Sequence, residues 1–165
     1  MFKQGDHIMY SYHGVCYIDE IREDIIEKEK KLFYIMHPFN EKSRIMTPVD
    51  NDKVKMRAIM SSEEAREVLN SVSVDNALRI PDRKKRDQVY TKLLKEGDPK
   101  QIIQIINALN IEDQEKKAAG KNMSTTDKRI LERAEKLLYP ELSLALGVEV
   151  ETIKQKVETI FQEAI

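Results

Sequence analysis

Residues 7–21 read His7-Ile-Met-Tyr-Ser-Tyr12, then His13-Gly14, then Val15-Cys-Tyr-Ile-Asp-Glu-Ile21. Both flanking segments are rich in β-branched and aromatic residues, which suit the pleated, half-buried surface of a strand. The His13-Gly14 pair between them suits a tight turn, because glycine readily adopts the positive φ that such turns use. This stretch therefore predicts two strands joined by a turn near the start of the chain.

Further strands are predicted on the C-terminal side of these two. Leu32-Phe-Tyr-Ile-Met36 is a third apolar run, and the charged residues 27–31 before it are expected to form a hairpin tip. A fourth run, residues 43–47, ends at Pro48, which has no amide hydrogen to donate to a central ladder. Short strands with turns about ten residues apart predict a small twisted barrel over residues 1–60.

The spacing of the apolar residues changes to that of helices after residue 60. Ser61-Ser-Glu-Glu64 resembles a capping box, in which a serine hydroxyl accepts a hydrogen bond from the first turn of a helix. A second helix is predicted over residues 82–95, with Val89 and Leu93 on its buried face. Gly97 is expected to end it.

Two more helix starts follow. Asp98-Pro99 places a capping residue before a proline at the first helical position, and Ser124-Thr-Thr-Asp127 opens another helix. Pro140 is expected to interrupt that helix and restart the chain, and a last helix is predicted over residues 151–161. Residues 61–165 are thus predicted to form an all-α domain, so that the fold class is α+β with segregated halves.

The composition of the 165 residues limits the classes of protein to which the chain could belong. The longest apolar runs are only a few residues, too short for a membrane-spanning helix, and the first residues lack the apolar core of a signal peptide. Cys16 is the only cysteine, so no disulfide can form within the chain. These features predict a cytoplasmic protein with no membrane partner.

The residues that usually carry catalysis do not form a recognisable site. His7, His13 and His37 all lie in the predicted barrel, without a helical i, i+4 pair, companion cysteines or an acidic triad. The sequence has no glycine-rich phosphate-binding motif. It therefore predicts a protein that is not an enzyme and needs no metal or other cofactor. Metal found by elemental analysis would restore the hypothesis of a metal-dependent enzyme.

The net charge of −1 conceals two basic clusters. Residues 79–95 contain seven basic and two acidic residues, and residues 116–136 contain seven basic and three acidic residues. The run Arg83-Lys-Lys-Arg86 lies at a predicted helix N-terminus, where the helix dipole disfavours cations unless an anion binds. The clusters fit either contacts with the phosphate backbone of a nucleic acid or a solvated, charged surface.

Several short motifs, taken in order, resemble the CarD family of bacterial transcription factors, also called CdnL-like, over nearly the full chain. The motifs are Met1-Phe-Lys-x-Gly5-Asp6, Tyr10-x-x-His13-Gly14, Met46-Thr-Pro-Val49, Leu93-Leu94-x-x-Gly97-Asp98, Ser124-x-x-Asp127-Lys128-Arg129 and Leu142-Ser-Leu-Ala-Leu146. The resemblance implies that residues 1–60 form a Tudor-like barrel, similar to an SH3 barrel, that binds the β subunit of RNA polymerase. It implies that the helical domain contacts promoter DNA and stabilises the open complex, in which the DNA strands are separated.

The resemblance also implies which residues make these contacts. The residues that match the polymerase-binding edge strand are Arg44, Ile45, Met46, Thr47 and Pro48. The residues that match the DNA-contacting positions are Arg83, Lys85, Arg86, Lys128 and Arg129. The edge strand fits the role implied for it, because an exposed edge can extend the sheet of a partner through backbone hydrogen bonds.

Two positions depart from the family pattern. Arg83 stands where related members carry a tryptophan that acts as a wedge at the edge of the DNA bubble, and this chain has no tryptophan. An arginine can enter a narrow minor groove, but it cannot supply an apolar wedge. Met46 stands where some members carry an arginine, so docking is expected to depend on backbone pairing and apolar contact.

The sequence therefore predicts a monomeric transcription regulator, associated with the nucleoid through RNA polymerase, with no small-molecule substrate. The alternative is an adaptor that binds the polymerase without touching DNA. In that case the basic clusters bind an acidic protein surface or keep the protein soluble. Steep salt dependence of the affinity for promoter DNA would separate the two hypotheses.

Overall fold

The computed structural model describes residues 1–164, apart from the side chain of Tyr12. Contacts divide the chain into two compact units, Met1–Ile59 and Met60–Ile165. In the described residues, the first unit contains one antiparallel sheet and the second contains only helices, which confirms the predicted α+β class. The separate functions assigned to residues 1–60 and to residues 61–165 stay predictions.

The first unit is built from five strands. They are β1 (His7–Tyr10), β2 (Gly14–Ile26), β3 (Glu29–Pro38), β4 (Ile45–Pro48) and β5 (Met56–Ala58). Their order in the sheet is β4-β3-β2-β1-β5, with antiparallel neighbours throughout. A 3-10 turn, Ser11–His13, joins β1 to β2, and Gly14 follows it with a φ of 83°. The predicted pair of strands is confirmed, but the first strand ends at Tyr10 rather than Tyr12, and the turn comprises Ser11–His13, with Gly14 as the first residue of β2.

The hairpin between β2 and β3 has a tighter tip than predicted. Glu27 and Lys28 alone form the turn, with φ values of 52° and 67°, and Ile26 pairs directly with Glu29. Positive φ at both central residues is the geometry of a two-residue turn whose twist matches that of the strands. The predicted tip over residues 27–31 was wrong, because charged side chains on a solvated two-stranded ribbon do not end its strands.

One face of the sheet forms the core of the first unit, as the alternation of side chains along each strand requires. Its buried members are Ile8, Tyr10, Cys16, Ile18, Tyr34 and Met36. Burial, assisted by the charge of Glu41, raises the pKa of the Cys16 thiol to about 12. The thiol therefore stays protonated and behaves as a small apolar side chain.

The second unit is built from five helices. The helices are α1 (Ser62–Asn70), α2 (Arg83–Glu96), α3 (Pro99–Ala118), α4 (Thr125–Leu146) and α5 (Val150–Ala164). α3 packs against each of the other four, and the middle of α3 is buried on all sides rather than along one stripe. In the described part of the chain, no helix combines the length and apolarity needed to span a bilayer.

The predicted helix starts are confirmed by hydrogen bonds from the first turn to a capping side chain. The bonds are Glu64 N to Ser61 Oγ (3.1 Å), Lys85 N to Asp82 Oδ1 (3.0 Å), Lys100 N to Asp98 Oδ1 (3.0 Å) and Asp127 N to Ser124 Oγ (3.1 Å). Gly97 ends α2 in the left-handed conformation, with a φ of 77°, which also confirms its predicted role.

The buried face of α2 lies one residue away from the predicted one. Arg86, Tyr90 and Leu94 are buried, whereas Val89 and Leu93 are only partly buried. The buried face of α2 includes a charged residue, Arg86. The helical spacing of apolar residues alone therefore predicted the adjacent face, which carries Val89 and Leu93.

Pro140 lies inside α4, which continues to Leu146, so the predicted interruption of the helix was wrong. A proline in a helix interior removes a hydrogen bond and costs about 3 kcal/mol. The flanking side chains of Leu137, Leu138 and Leu142 are at most 2% exposed, and burying each contributes about 1.5–3 kcal/mol. Packing of this segment therefore outweighs the lost hydrogen bond.

Candidate partner and nucleic-acid interfaces

β4 forms one free edge of the sheet, because it pairs only with β3. Val49 donates its N–H to the carbonyl of Leu32 (3.0 Å) just beyond the last pair of this ladder. In an antiparallel ladder, residues alternate between those bonded to the partner strand and those whose polar groups point away from it. Thr47 therefore faces β3, whereas the N–H and C=O of Met46 face outward from the sheet.

The five residues of the predicted polymerase-binding strand differ in exposure. Arg44 and Met46 are exposed, and Met46 retains 48% of its accessible surface. Thr47 is buried, and its Oγ1 accepts a hydrogen bond from Asn51 Nδ2 at 2.9 Å. Ile45 packs partly against the core, and Pro48 is partly buried. The strand thus offers a partner the backbone and side chain of Met46 and the charge of Arg44.

A buried ion pair joins the first turn of α2 to the first turn of α4. Arg86 donates from Nε to Asp127 Oδ1 (3.2 Å) and from Nη2 to Asp127 Oδ2 (2.8 Å). Its Nη1 donates to the carbonyl of Ile80 at 3.1 Å. The two side chains are only 11% and 6% exposed, so the contact fixes both helix ends in one geometry.

Four of the predicted DNA-contacting cations surround this pair. Arg83 and Lys85 lie on the first turn of α2, Lys128 ends the first turn of α4 and Arg129 begins the second; all four are exposed. Within residues 1–164 none of them has an ion-pair partner. The positive ends of two helix dipoles add to their charge. We call these four residues the basic surface.

The structure places the fifth predicted residue, Arg86, differently. It is 9% exposed, and its guanidinium is occupied by Asp127 and Ile80. It is therefore a positioning residue, not an exposed cation. Sequence reasoning missed Asp127 as its partner, because nothing local marks an interaction between residues 41 positions apart.

Two residues of types that often carry catalysis, His37 and Cys16, are paired or buried. His37 Nδ1 lies 2.8 Å from Asp19 Oδ2 on the first unit, and the thiol of Cys16 is buried and protonated. No group of three or more His, Cys, Asp and Glu side chains in the described residues could hold a metal ion. What the two surfaces offer a partner is charge and backbone hydrogen bonding.

Comparisons with known proteins cover both units. Residues 2–60 match the family model described as CarD-like/TRCF RID domain, which has a Tudor-like fold, and residues 64–158 match the one described as CarD, C-terminal domain. A Bacillus subtilis (strain 168) protein named "Putative transcription factor YdeB" is 23% identical over 155 residues, which cover 93% of this chain and 98% of that protein.

Proposed function

Because this chain belongs to the CarD-like family of transcription factors, we propose that it regulates transcription by binding RNA polymerase and promoter DNA together. In this proposal β4 binds the β subunit of bacterial RNA polymerase, and the basic surface on α2 and α4 contacts the phosphate backbone of the promoter. The two contacts together change the stability of the open complex. The protein acts as a monomer in the cytoplasm, is no enzyme and takes no small-molecule substrate.

The observation that carries the DNA contact is the buried pair of Arg86 and Asp127. It brings together two basic clusters that are separate in sequence, and it leaves Arg83, Lys85, Lys128 and Arg129 exposed around it. Cations at a helix N-terminus destabilise that helix by themselves. Their concentration at two adjacent N-termini fits an anionic partner that compensates for this cost.

The polymerase contact is supported by the free edge of β4. The outward N–H and C=O of Met46 can pair with a strand of the partner, and the exposed Met46 side chain can pack against it. Backbone pairing of this kind supplies affinity that does not depend on a particular charged side chain. It therefore suits a chain in which methionine replaces the arginine of some relatives.

We expect Met46→Pro to weaken binding to RNA polymerase by about 10- to 100-fold, because it removes the outward amide hydrogen and leaves a buried acceptor on the partner unpaired. Proline is tolerated on an edge strand when its nitrogen faces away from the sheet. The variant should therefore fold normally. Equilibrium binding of the full chain to core polymerase measures the change.

The matched control is Ala58→Pro on the opposite edge of the sheet. The register of β5 against β1, with Ser11 N bonded to Lys55 O, places the N–H of Ala58 outward as well. This variant should bind the polymerase like the wild type. If both variants or neither lose affinity, β4 is not the docking edge.

Arg83→Trp is expected to lengthen the lifetime of the open complex severalfold, because tryptophan supplies the apolar wedge that arginine lacks. Lys84→Trp, at the next exposed position of α2, is the control and should not do so. The lifetimes are measured after addition of a competitor that traps free polymerase. Equal lifetimes for the wild type and Arg83→Trp would show that the wedge position has been assigned to the wrong residue.

A further inference from the structure

A cavity of about 570 Å³ opens in the helical unit and shares Arg83 with the basic surface. It lies between the start of α2, the second half of α3 and the segment 79–81 before α2. Its size falls within the range of about 300–1,000 Å³ that is typical of small-molecule sites. The apolar part of its wall consists of Ile80, Pro81, Tyr90, Ala108 and Leu109.

The polar part of the wall is mostly cationic. Arg79, Arg83, Arg86 and Lys116 line the cavity together with one acid, Glu112. A ligand that fits this wall must combine an apolar body with negative charge, because the cations of the wall outnumber the carboxylates that contact them.

Two of the four cations are already neutralised. Arg79 Nη2 lies 2.9 Å from Glu115 Oε2 and 3.5 Å from Glu112 Oε2, and Arg86 is paired with Asp127. The other two, Arg83 and Lys116, have no ion-pair partner in the described part of the chain. Because Arg79 faces both Glu112 and Glu115, the local balance is one net positive charge, and Arg83 and Lys116 are the cations left to donate to an anion such as a phosphate monoester.

The wall is held in place without a ligand. The phenol of Tyr90 donates a hydrogen bond to the carbonyl of Leu78, and Arg86 Nη1 donates to the carbonyl of Ile80. These two bonds tie α2 to the segment that borders the cavity. A preformed site of this kind binds a ligand without the entropic cost of ordering its own side chains.

We propose that this cavity binds an organic phosphate of nucleotide size, with its phosphate on Arg83 and Lys116 and its body against Ile80 and Pro81, the two apolar wall residues that are not buried. The proposal is for binding alone, without a chemical step. Nothing in this inference depends on polymerase or promoter DNA.

The test is isothermal titration of the full chain with adenosine monophosphate, adenosine and inorganic phosphate, each alone. We expect the monophosphate to bind at least about tenfold more tightly than either fragment, because only it engages both the cations and the apolar wall. Backbone amide resonances of Ala108 and Glu112 should shift on binding, and that of Lys100, at the other end of α3, should not.

Lys116→Glu should weaken binding of the monophosphate by about tenfold or more, and Lys116→Arg should retain it. Lys100→Glu makes the same charge change on α3 outside the cavity and should have no effect. The proposal is overturned if the monophosphate does not bind, if phosphate alone binds equally well, or if Lys116→Glu binds like the wild type. None of these results would bear on the proposed contacts with polymerase and promoter DNA, because no polymerase or DNA is present.

Discussion

Replacing Arg83, Lys85, Lys128 and Arg129 together by alanine is expected to shorten the lifetime of the promoter open complex more than tenfold. Each phosphate contact contributes about 0.9 to the slope of log affinity against log salt concentration. Loss of four contacts should therefore flatten that slope by about 3 to 4 units. The fold should survive, because all four side chains are exposed and have no ion-pair partner within residues 1–164.

The control is a second quadruple variant that removes the same number of positive charges from other exposed positions of the helical unit. It replaces Lys92, Lys95, Lys100 and Lys156 by alanine. If the effect came from net charge alone, both variants would shorten the lifetime equally. If neither variant changes the lifetime or the salt slope while polymerase binding persists, the protein is the adaptor that does not touch DNA.

Asp127→Ala is expected to lower the free energy of unfolding of the helical unit by about 3–5 kcal/mol, since it leaves the buried guanidinium of Arg86 without its counter-charge. The change also removes the carboxylate that lies in the first turn of α4. Urea denaturation followed by the circular dichroism of the helices measures the loss.

Two comparisons isolate the ion pair from general effects of mutation. Arg86→Met combined with Asp127→Ala should recover much of the lost stability, because an apolar side chain no longer needs a partner. Glu115→Ala, which breaks an exposed pair with Arg79, should cost at most about 1 kcal/mol. A cost for Asp127→Ala as small as that of Glu115→Ala would contradict the role given to the buried pair.

These two experiments separate the role of Arg86 from that of its neighbours. The quadruple variant should lose the DNA contact and keep its free energy of unfolding. Asp127→Ala should instead lower the free energy of unfolding. If Asp127→Ala is assayed below its unfolding transition, the DNA contact should weaken as well, because the first turns of α2 and α4 are no longer held together.

Local signals made part of this structure predictable. The capping oxygens of Ser61, Asp98 and Ser124 act within three residues, and the positive φ of Gly97 depends on the residue itself. The sequence could therefore show where these helices start and where α2 ends. It could also show that the chain has a β part and an α part, because the period of the apolar residues changes once.

The features that the sequence did not show depend on remote contacts. In sequence Arg86 cannot be distinguished from the exposed cations beside it, because its partner Asp127 lies 41 positions away. Pro140 stays helical only because the surrounding leucines pack, and the outward direction of Met46 follows from the register with β3. Of the candidate site, the charges and the edge strand could be predicted from local sequence. Their arrangement required the fold.

Pro48 gives the free edge of β4 a further property. It stands across from Phe33, two positions after Met46, so its nitrogen occupies the outward row in which the N–H of Met46 lies. Because proline has no N–H, an incoming strand finds the donor of Met46 but no donor at position 48. A second copy of this chain that pairs with this edge therefore loses one hydrogen bond at position 48, which makes edge-to-edge aggregation, to which open sheets are prone, less favourable. The same proline limits a genuine partner to a short, fixed register.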